Sequence, residues 1–445
     1  MDLEGFTRRR ILRGAEEEDI VRELEELISE FKDWRADKRH DFSRAVYEEV
    51  RTSLEYKKIK WPFIRNLLDY PRAGVAMGEF GVGSRGEGDF YVHRQIAEIA
   101  GDKNALIGPK EQDDAGVVKG SGDYVTVAVD GTHSRLSDFP FLAGFHVARA
   151  ALRDVYVMGS KPIAMISDLH LADDGDIGKL FDFTAGVGCV GDLTRVPLVS
   201  GSTLRIGGDM VFGDRLVSAV GAVGVSKEPP KARRNAEEGD VVLLTQGSGG
   251  GTITTIAIYN GYFDVIKETL NVEFTDTCEE LFTKGLKDVH AMSDVTNGGI
   301  RGDAMEIGKR AGKKLLFHED ALYRAVNKKV LKMLMELEID PLGISTDSLM
   351  LILPEDSVPG IRKSLKKLTK IYEVGRIEKG DGVKILGQRE MKLKTFFRES
   401  PYTRVKKVVG HLGPEDIEKK MERIASSRLK TLQKKREVFD YIRRS

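Results

Sequence analysis

The sequence predicts an α/β (α+β) core of two domains with a helical extension at each end. From about residue 74, Gly-rich turns separate short segments rich in Val, Ile and Ala, a texture typical of strands. The two ends are instead dense in charged residues and show apolar positions at helical spacing. A stretch at 226–240 concentrates Pro and charge without any apolar period and is predicted to be a linker. We therefore expect four units: a helical N-terminal extension at 1–73, a first domain at 74–228, a second domain at 229–400 and a basic helical tail at 401–445.

Length and composition exclude several classes of protein. The chain has 445 residues, enough for two or three domains. Lys plus Arg and Asp plus Glu each total 70, so bulk charge predicts no nucleic-acid partner. Cys189 and Cys278 lack CxxC spacing, which argues against a disulfide framework or a thiolate zinc site. No apolar signal region or membrane-length apolar run is present, so we expect a cytoplasmic protein without a membrane span.

The elements follow in order along the chain. In the N-terminal extension Ile20, Leu24, Leu27, Ile28 and Phe31 share one helix face. In the first domain, strands are predicted at 73–77, 114–118, 124–130, 162–171 and 215–225, and a helix at 141–159 that ends at Gly159. The second domain opens with a strand at 241–245 and the glycine-rich loop 246–252.

A last helix is predicted from about residue 414. It carries more Lys and Arg than Asp and Glu, which leaves two interpretations. The first is a solvated helix that packs one stripe on the body, and the second is an arm that binds nucleic acid or a partner protein. Because no aromatic residues alternate with the basic ones, we favour the packed helix.

Carboxylates cluster around one predicted strand. Asp113 and Asp114 precede it and Asp130 ends it. Neighbouring residues of an extended chain face opposite sides, so we expect only one of the first pair to point inward. Two carboxylates about 4 Å apart repel by about 4 kcal/mol at an effective dielectric constant of about 20, which raises a pKa or calls for a cation such as Mg²⁺.

Two further aspartates are candidates for the same site. Asp154 lies in the motif LRDVYVMG and Asp294 in the motif AMSDVTNGG. Each also has a structural interpretation: Asp154 could pair with Arg149 or Arg153 along its helix, and Asp294 could cap the helix that begins near Gly299.

A glycine-rich stretch at 78–90 contains a formal GxGxxG at Gly81, Gly83 and Gly86. A dinucleotide-binding fold would place an acid at the end of the next strand, whereas the nearest downstream acids open one. Backbone N–H groups in such a loop can nevertheless approach phosphates, and Arg85 would add positive charge. The alternative is a surface loop whose glycines serve only its turns.

The order of these motifs carries a resemblance. DDAGVV, VAVDGTH, ARAALRDVYVMGSKPIAMISD, VSGSTLR and MSDVTNGGI, in this order over roughly residues 74–390, resemble the ATP-binding superfamily of aminoimidazole ribonucleotide (AIR) synthetase. That superfamily includes formylglycinamide ribonucleotide amidine synthase, selenophosphate synthetase, thiamine-monophosphate kinase and the hydrogenase-maturation carbamoyl dehydratase. The resemblance implies a two-domain fold whose N-terminal sheet forms a barrel with that of a second copy. It also implies a C-terminal α/β domain that closes over ATP.

The resemblance also implies the roles of individual residues. Nucleotide-binding positions would be Gly81, Gly83, Arg85, Gly86, Gly88, Asp113, Asp130, Asp154 and Thr203. Metal ligands for Mg²⁺ would be Asp113, Asp114, Asp154 and Asp294. Substrate or phosphate contacts would be His133, Arg149, Ser202 and Asn297, although His133 is also explained as a satisfied turn residue.

Departures from the family pattern narrow the expected activity. Ser202 stands where the kinases carry an acid, which weakens the metal set, argues against thiamine-phosphate kinase and favours ligase-like chemistry. Residues 78–88 lack the Cys of selenophosphate synthetase, and Asn297 stands where maturation enzymes carry Arg.

The sequence therefore predicts a homodimeric, Mg²⁺-dependent ATP-binding enzyme. We expect it to phosphorylate an amide, carboxylate or hydroxyl oxygen of a small-molecule substrate, as a phosphotransferase or an ATP-dependent C–N ligase. One alternative is a non-catalytic, nucleotide-responsive assembly protein. The other is an NAD-binding oxidoreductase that uses the glycine stretch.

Overall fold

The N-terminal extension is a small helical unit docked on the first domain. The computed structural model describes residues 1–84, 86–284, 286–296, 298–387, 391–392 and 396–444. The extension consists of α1 Leu3–Leu12, α2 Glu17–Ser29, α3 Ala36–Ser53 and α4 Pro62–Leu68. As predicted, Ile20, Leu24 and Ile28 are buried on one face of α2. Their cluster also takes in Phe212 of the first domain, which attaches the extension to that domain. Phe31, predicted to share the face, is 39% exposed and lies edge-on to Phe212.

The first domain is built on a five-stranded sheet. Its elements are α5 Met77–Phe80, α6 Glu87–Ala100, β1 Gly116–Gly120, β2 Asp123–Gly131, α7 Pro140–Val157, β3 Lys161–Leu171, α8 Gly178–Thr194, β4 Leu198–Arg205 and β5 Leu216–Ser226. The strand order is β1-β2-β5-β3-β4, antiparallel except for the β3-β4 pair. Helix α7 packs on one side of this sheet, and its apolar residues form the domain core.

The other side of the first sheet is apolar and exposed. The side chains there are Val127, Val129, Ile163, Ile166, Val199, Leu204 and Val217. Alternation along β2 explains the arrangement, because Thr126 and Ala128 point to the core while their neighbours Val127 and Val129 point outward.

One predicted strand is wrong. Residues 73–76 form no regular element and Met77 begins the short helix α5. The GxGxxG stretch therefore does not follow a strand, and the sheet beside it is mainly antiparallel. Both features contradict the dinucleotide-binding interpretation of that stretch.

The second domain contains a seven-stranded sheet in the order β12-β11-β8-β10-β6-β9-β7. Its elements are β6 Val241–Thr245, α9 Gly251–Asn260, α10 Ile266–Thr269, α11 Glu273–Lys284, β7 Ala291–Asp294, α12 Gly299–Ala311, β8 Lys314–His318, α13 Glu319–Arg324, α14 Lys328–Glu336, β9 Leu349–Leu353, α15 Val358–Leu365, β10 Ile371–Glu378, β11 Gly382–Leu386 and β12 Met391–Lys392. Strand β6 is buried along its whole length, with alternate residues in two different cores. This sheet is therefore covered on both sides, as its continuous apolar strands require.

The C-terminal tail forms α16 Arg404–Val409 and α17 Ile417–Arg444. The hydroxyl of Tyr91 on α6 donates to the Met421 carbonyl at 2.8 Å, and Tyr441 stacks on Phe63 of α4 at 4.4 Å between ring centroids. Helix α17 thus packs along α4 and α6, in agreement with the packed-helix interpretation. Across the described residues, no helix combines the length and apolarity needed to cross a bilayer.

Candidate active site

A cavity of about 680 Å³ lies between the two domains. The first domain lines it with α6, β1, β2 and α7, and the second with the start of α9, Thr296 and the segment Ser345 to Asp347. Its volume is in the range of pockets that hold small organic ligands.

Predicted acids meet at this cavity. Asp113, Asp114, Asp130 and Asp154 line it, and Asp294 lies behind it, completely buried. Burial raises the pKa of Asp154 well above its usual value, and the nearby carboxylates of Asp130, Asp294 and Asp114 raise it further. The fold therefore assembles carboxylates from β2, α7, the end of β7 and the turn before β1.

Arg153 on α7 lies next to two buried carboxylates. Arg153 places Nε 3.2 Å from Asp294 Oδ2 and pairs through Nη1 with Asp347 Oδ2. Arg149, one turn earlier, lies 3.4 Å from the same Asp347 oxygen. Burial alone would raise the pKa of Asp347, but Arg153 and Arg149 lower it. The direct ion pairs of these arginines are thus with acids of the second domain, while the charge of Arg153 also lowers the pKa of Asp154 on its own helix.

Arg149 was predicted to touch substrate or phosphate. In the structure it is buried, and besides Asp347 it donates from Nη1 to the Thr269 carbonyl at 2.6 Å. Its side chain therefore joins the two domains behind the cavity, and it is not among the residues that line the cavity.

A second arginine, Arg233, comes from the interdomain linker. It is 2% exposed and pairs through Nη2 with Asp114 Oδ1. Its backbone N–H donates to Asp113 Oδ2 at 3.1 Å, and Asp303 lies 3.8 Å from Nη2. Burial raises the pKa of Asp113 to about 6, since the nearby Asp114 carboxylate raises it and Arg233 only partly opposes the change.

The charges at the site fit an additional cation. Both carboxylate oxygens of Asp294 are buried without hydrogen-bond geometry to any described group, although Arg153 is close. Seven carboxylates face three guanidinium groups in the set Asp113, Asp114, Asp130, Asp154, Asp294, Asp303, Asp347, Arg149, Arg153 and Arg233. Within the described residues, however, no three His, Cys, Asp or Glu side chains are close enough to hold a metal ion as they stand. The predicted set of metal ligands therefore stays a prediction.

The glycine-rich stretch lies elsewhere. Gly81, Gly83, Gly86 and Gly88 are absent from the cavity lining. The N–H of Gly83 donates to Asp89 Oδ1 at 2.8 Å, and that of Gly88 to the Phe397 carbonyl at 3.2 Å. A Cβ atom at Gly86 would lie 2.4 Å from the same carbonyl oxygen. Gly86 and Gly88 thus allow close packing against the C-terminal segment, whereas a Cβ at Gly83 would meet open space. The phosphate-binding role of these glycines stays a prediction.

The remaining predicted residues differ in position. Ser202 and Thr203 lie exposed on β4, outside the cavity lining. His133 does line the cavity, but its Nε2 is 2.9 Å from the Tyr402 hydroxyl and its Nδ1 is 3.2 Å from Thr255 Oγ1. Burial lowers its pKa to about 4, so it is neutral near pH 7 and acts as a satisfied residue. Arg85 and Asn297 lie outside the described residues.

The motifs did not point to Arg233, Asp303 or Asp347, and they indicated Arg153 only as a helix partner of Asp154. Asp303 could have been found, because it follows the DVTNGG motif by about a helical turn. Arg233 gave no such signal, since it lies in a charged segment that resembles a solvated linker.

Family models match both domains. The N-terminal domain of AIR synthase related protein matches residues 112–226, and the C-terminal domain of AIR synthase related protein matches residues 237–388. The matched segments contain β1 to β5 and most of the second sheet.

Two relatives illustrate the range of similarity. An uncharacterized protein of Methanocaldococcus jannaschii is 53% identical over 100% of this chain and 98% of its own length. A selenide, water dikinase of Myxococcus xanthus is 30% identical over 46% of this chain, which spans only 57% of that relative.

Solved structures show the same fold. A HypE–HypF complex matches with a TM-score of 0.55 at 18% identity, over 68% of this chain and 99% of the other. AaThiL complexed with AMPPCP and TMP matches with a TM-score of 0.55 at 17% identity, over 70% of this chain and 96% of the other. Sequence matches over both domains, a relative of full length and the shared fold agree. The chain therefore belongs to the AIR synthase-related family.

Proposed function

We propose that this protein is a Mg²⁺-dependent, ATP-binding enzyme that transfers the γ-phosphoryl group to an amide, carboxylate or hydroxyl oxygen of a small substrate. The observation that carries the proposal is the convergence of buried carboxylates from both domains on one cavity. The kinase names of relatives and the AMPPCP in a structure of the same fold support it.

Phosphoryl transfer depends mainly on positioning and on neutralising phosphate charge. Asp113, Asp130 and Asp154 line the cavity and would hold Mg²⁺, while Asp294 lies behind them. When bound, Mg²⁺ would neutralise charge on the transferred group. Gly251 and Thr252 line the same cavity at the N-terminus of α9, where the helix dipole favours an anionic group.

Calorimetric titration with AMPPCP and MgCl₂ tests the nucleotide site. We expect the native protein to bind, and the double variant Asp154→Asn with Asp294→Asn to bind about 100-fold more weakly, because two anionic contributions to cation binding are lost. Asp192→Asn, an exposed change on α8, is the matched control and should bind like the native protein. No binding by the native protein, or equal binding by the double variant, would refute the proposal.

We also propose that the protein is a cytoplasmic homodimer in which the exposed apolar face of the first sheet is covered by a second copy. Val129 is 71% exposed on that face. Contiguous apolar patches of this kind mark interaction surfaces. Light scattering should give a dimer for the native protein and a monomer for Val217→Lys, a change on the same face at a residue that is 50% exposed and does not line the cavity. The control is Val408→Lys on α16, which is 89% exposed and should remain dimeric. A native monomer would contradict this proposal.

The second candidate function is a non-catalytic, nucleotide-responsive assembly protein. Two features favour it: by the family resemblance Ser202 stands where related kinases carry an acid, and Gly86 and Gly88 pack against Phe397. Release of ADP in the presence of small amides or carboxylates separates the two functions, since an assembly protein would bind ATP without forming ADP.

A further inference from the structure

The two adjacent acids that precede β1 have different surroundings. Both oxygens of Asp114 have strong partners: Oδ1 pairs with Arg233 Nη2, and Oδ2 accepts from Ser293 Oγ at 3.0 Å. Among the described residues, the carboxylate of Asp113 accepts only backbone N–H groups, from Asp114 and Arg233, each at 3.1 Å. The nearest guanidinium nitrogen, Arg233 Nε, is 3.9 Å away, beyond hydrogen-bond distance.

Arg233 is fixed from several directions. Besides Asp114, its guanidinium donates to Ser293 Oγ, from Nε at 3.3 Å and Nη2 at 3.0 Å. Nη1 donates to the Gln112 carbonyl at 3.2 Å. Gln112 has φ of 52°, so the turn before the acids has a left-handed residue that this contact helps to hold. Arg233 thus ties the turn before β1 to β7 of the second domain.

These contacts give Asp113 and Asp114 different parts in the site. A guanidinium whose donors are used and whose partner is buried cannot leave Asp114 without exposing an unpaired buried charge. Asp113 also lines the cavity and carries a full charge when ionised, with oxygen lone pairs that its two neutral donors do not use up. A cation that enters the cavity therefore finds a carboxylate at Asp113 that Arg233 compensates only in part, and one at Asp114 that is paired directly with Arg233.

We propose that Arg233 is a positioning residue that holds Asp114 as a permanent ion pair and leaves Asp113 as the carboxylate of the pair that binds the divalent cation. The inference rests on the proposed function for the identity of the ligand. It differs from the family-based expectation, in which both adjacent acids are metal ligands, and it gives the interdomain linker a part in the site.

The test uses Mn²⁺ with AMPPCP, followed by calorimetry and electron paramagnetic resonance, together with urea unfolding of each variant. Asp113→Asn should weaken Mn²⁺ binding by about 10- to 100-fold without lowering the unfolding midpoint. Asp114→Asn should lower the unfolding midpoint, because Arg233 is left buried without its partner. Arg234→Gln is the control for the linker: this neighbour is 38% exposed, pairs with Glu111 at 3.0 Å and should leave both readouts unchanged.

A double variant that removes both Arg233 and Asp114 serves as the control for folding. The double variant Arg233→Gln with Asp114→Asn removes both members of the close pair, while Asp303 and Asp113 lose a guanidinium 3.8 and 3.9 Å away. We therefore expect it to unfold at a higher urea concentration than Asp114→Asn alone and to bind Mn²⁺ within about threefold of the native protein through Asp113. Adding Asp113→Asn should abolish that binding.

The single variant Arg233→Gln frees Asp114 as a second anionic ligand. We expect it to bind Mn²⁺ without nucleotide at least about tenfold more tightly than the native protein, whereas a merely structural arginine would not produce this gain. Arg233→Lys should restore the native metal affinity, since its charge again occupies Asp114.

The outcomes are separable. If the native protein binds Mn²⁺·AMPPCP and Asp113→Asn binds it equally well, the inference is wrong and the proposed function stands. If the double variant folds but has lost binding, Asp114 is itself a ligand and the inference is overturned. If the native protein binds neither Mn²⁺ nor AMPPCP, the proposed function and the metal role of Asp113 are both wrong.

Discussion

Two arginine-centred groups, one around Arg233 and one around Arg153, belong to the acid cluster, and their guanidinium nitrogens are hydrogen-bonded to different degrees. Arg233 finds a hydrogen-bond acceptor for Nε, Nη1 and Nη2. Arg153 faces Asp294 and Asp347, yet its Nε and Nη1 and both Asp294 oxygens lack hydrogen-bond geometry within the described structure. The Arg153 group is thus held by charge, and the Arg233 group by charge and directed bonds. This difference indicates that a bound cation would change the charge balance around Arg153, Asp154 and Asp294 more than around Arg233.

The largest expected effect comes from breaking the Arg153 group. Arg153→Gln leaves buried Asp347 with Arg149 alone and removes the guanidinium 3.2 Å from buried Asp294. We expect the free energy of unfolding to fall by about 3–5 kcal/mol, the usual cost of an uncompensated buried charge. Urea unfolding at pH 7.5 measures it.

The control for this change is Arg376→Gln, a 47% exposed arginine paired with Glu355 on the surface. It should cost at most about 1 kcal/mol. A loss at Arg153 as small as the loss at Arg376 would show that the buried group is not held by its charges.

The next largest expected effect is a pH dependence of the free energy of unfolding, which arises from Asp113 beside Arg233. The pKa of Asp113 is raised to about 6, so its contribution to stability is complete below its unfolded pKa of about 4 and is lost as pH rises through 6. The difference corresponds to about 3 kcal/mol. Without metal, Asp113→Asn should therefore be more stable than the native protein at pH 7.5 by up to about this amount, and equal to it near pH 4.

Urea unfolding of both proteins at the two pH values measures this slope. Asp192→Asn, whose side chain is exposed, should show no pH-dependent difference from the native protein. An Asp113→Asn variant that loses stability at pH 7.5 would mean that its ionised carboxylate is compensated in the folded state.

The smallest effect concerns a neutral contact outside both groups. Tyr402→Phe removes the hydroxyl that is 2.9 Å from His133 Nε2. Loss of one neutral buried hydrogen bond should cost about 1 kcal/mol in the free energy of unfolding. Tyr262→Phe, which loses an exposed bond to Glu336, is the control and should cost less. A cost at Tyr402 above that at Arg153 would reverse the order on which the comparison rests.

The sequence predicted much of the fold because its patterns are local. Strands β1, β2, β3, β5 and β6 and helix α7 lie where alternation and helical spacing placed them. The strand at 73–77 failed because its short apolar run continues into a helix whose conformation the C-terminal segment supports: Arg398 donates to the carbonyls of Gly78 and Glu79. Contacts between residues so distant in the chain leave no local pattern.

The site was predicted mainly from its acids, and Arg233 was missed for a related reason. An aspartate pair before a strand is unusual enough to be noticed, whereas Arg233 is one of many charged residues in its segment. Only the fold shows that it is buried. The glycines at 81–88 were ambiguous in the same way, because a close approach to Phe397 and a close approach to phosphate require the same residue.

The most direct test of the account is a crystal grown with Mn²⁺ and AMPPCP, with anomalous diffraction used to locate the metal. We expect a manganese peak inside the cavity between the domains, in contact with Asp113 and with Asp130 or Asp154, while Asp114 remains paired with Arg233. A nucleotide bound outside the cavity, or a manganese peak away from these carboxylates, would contradict it.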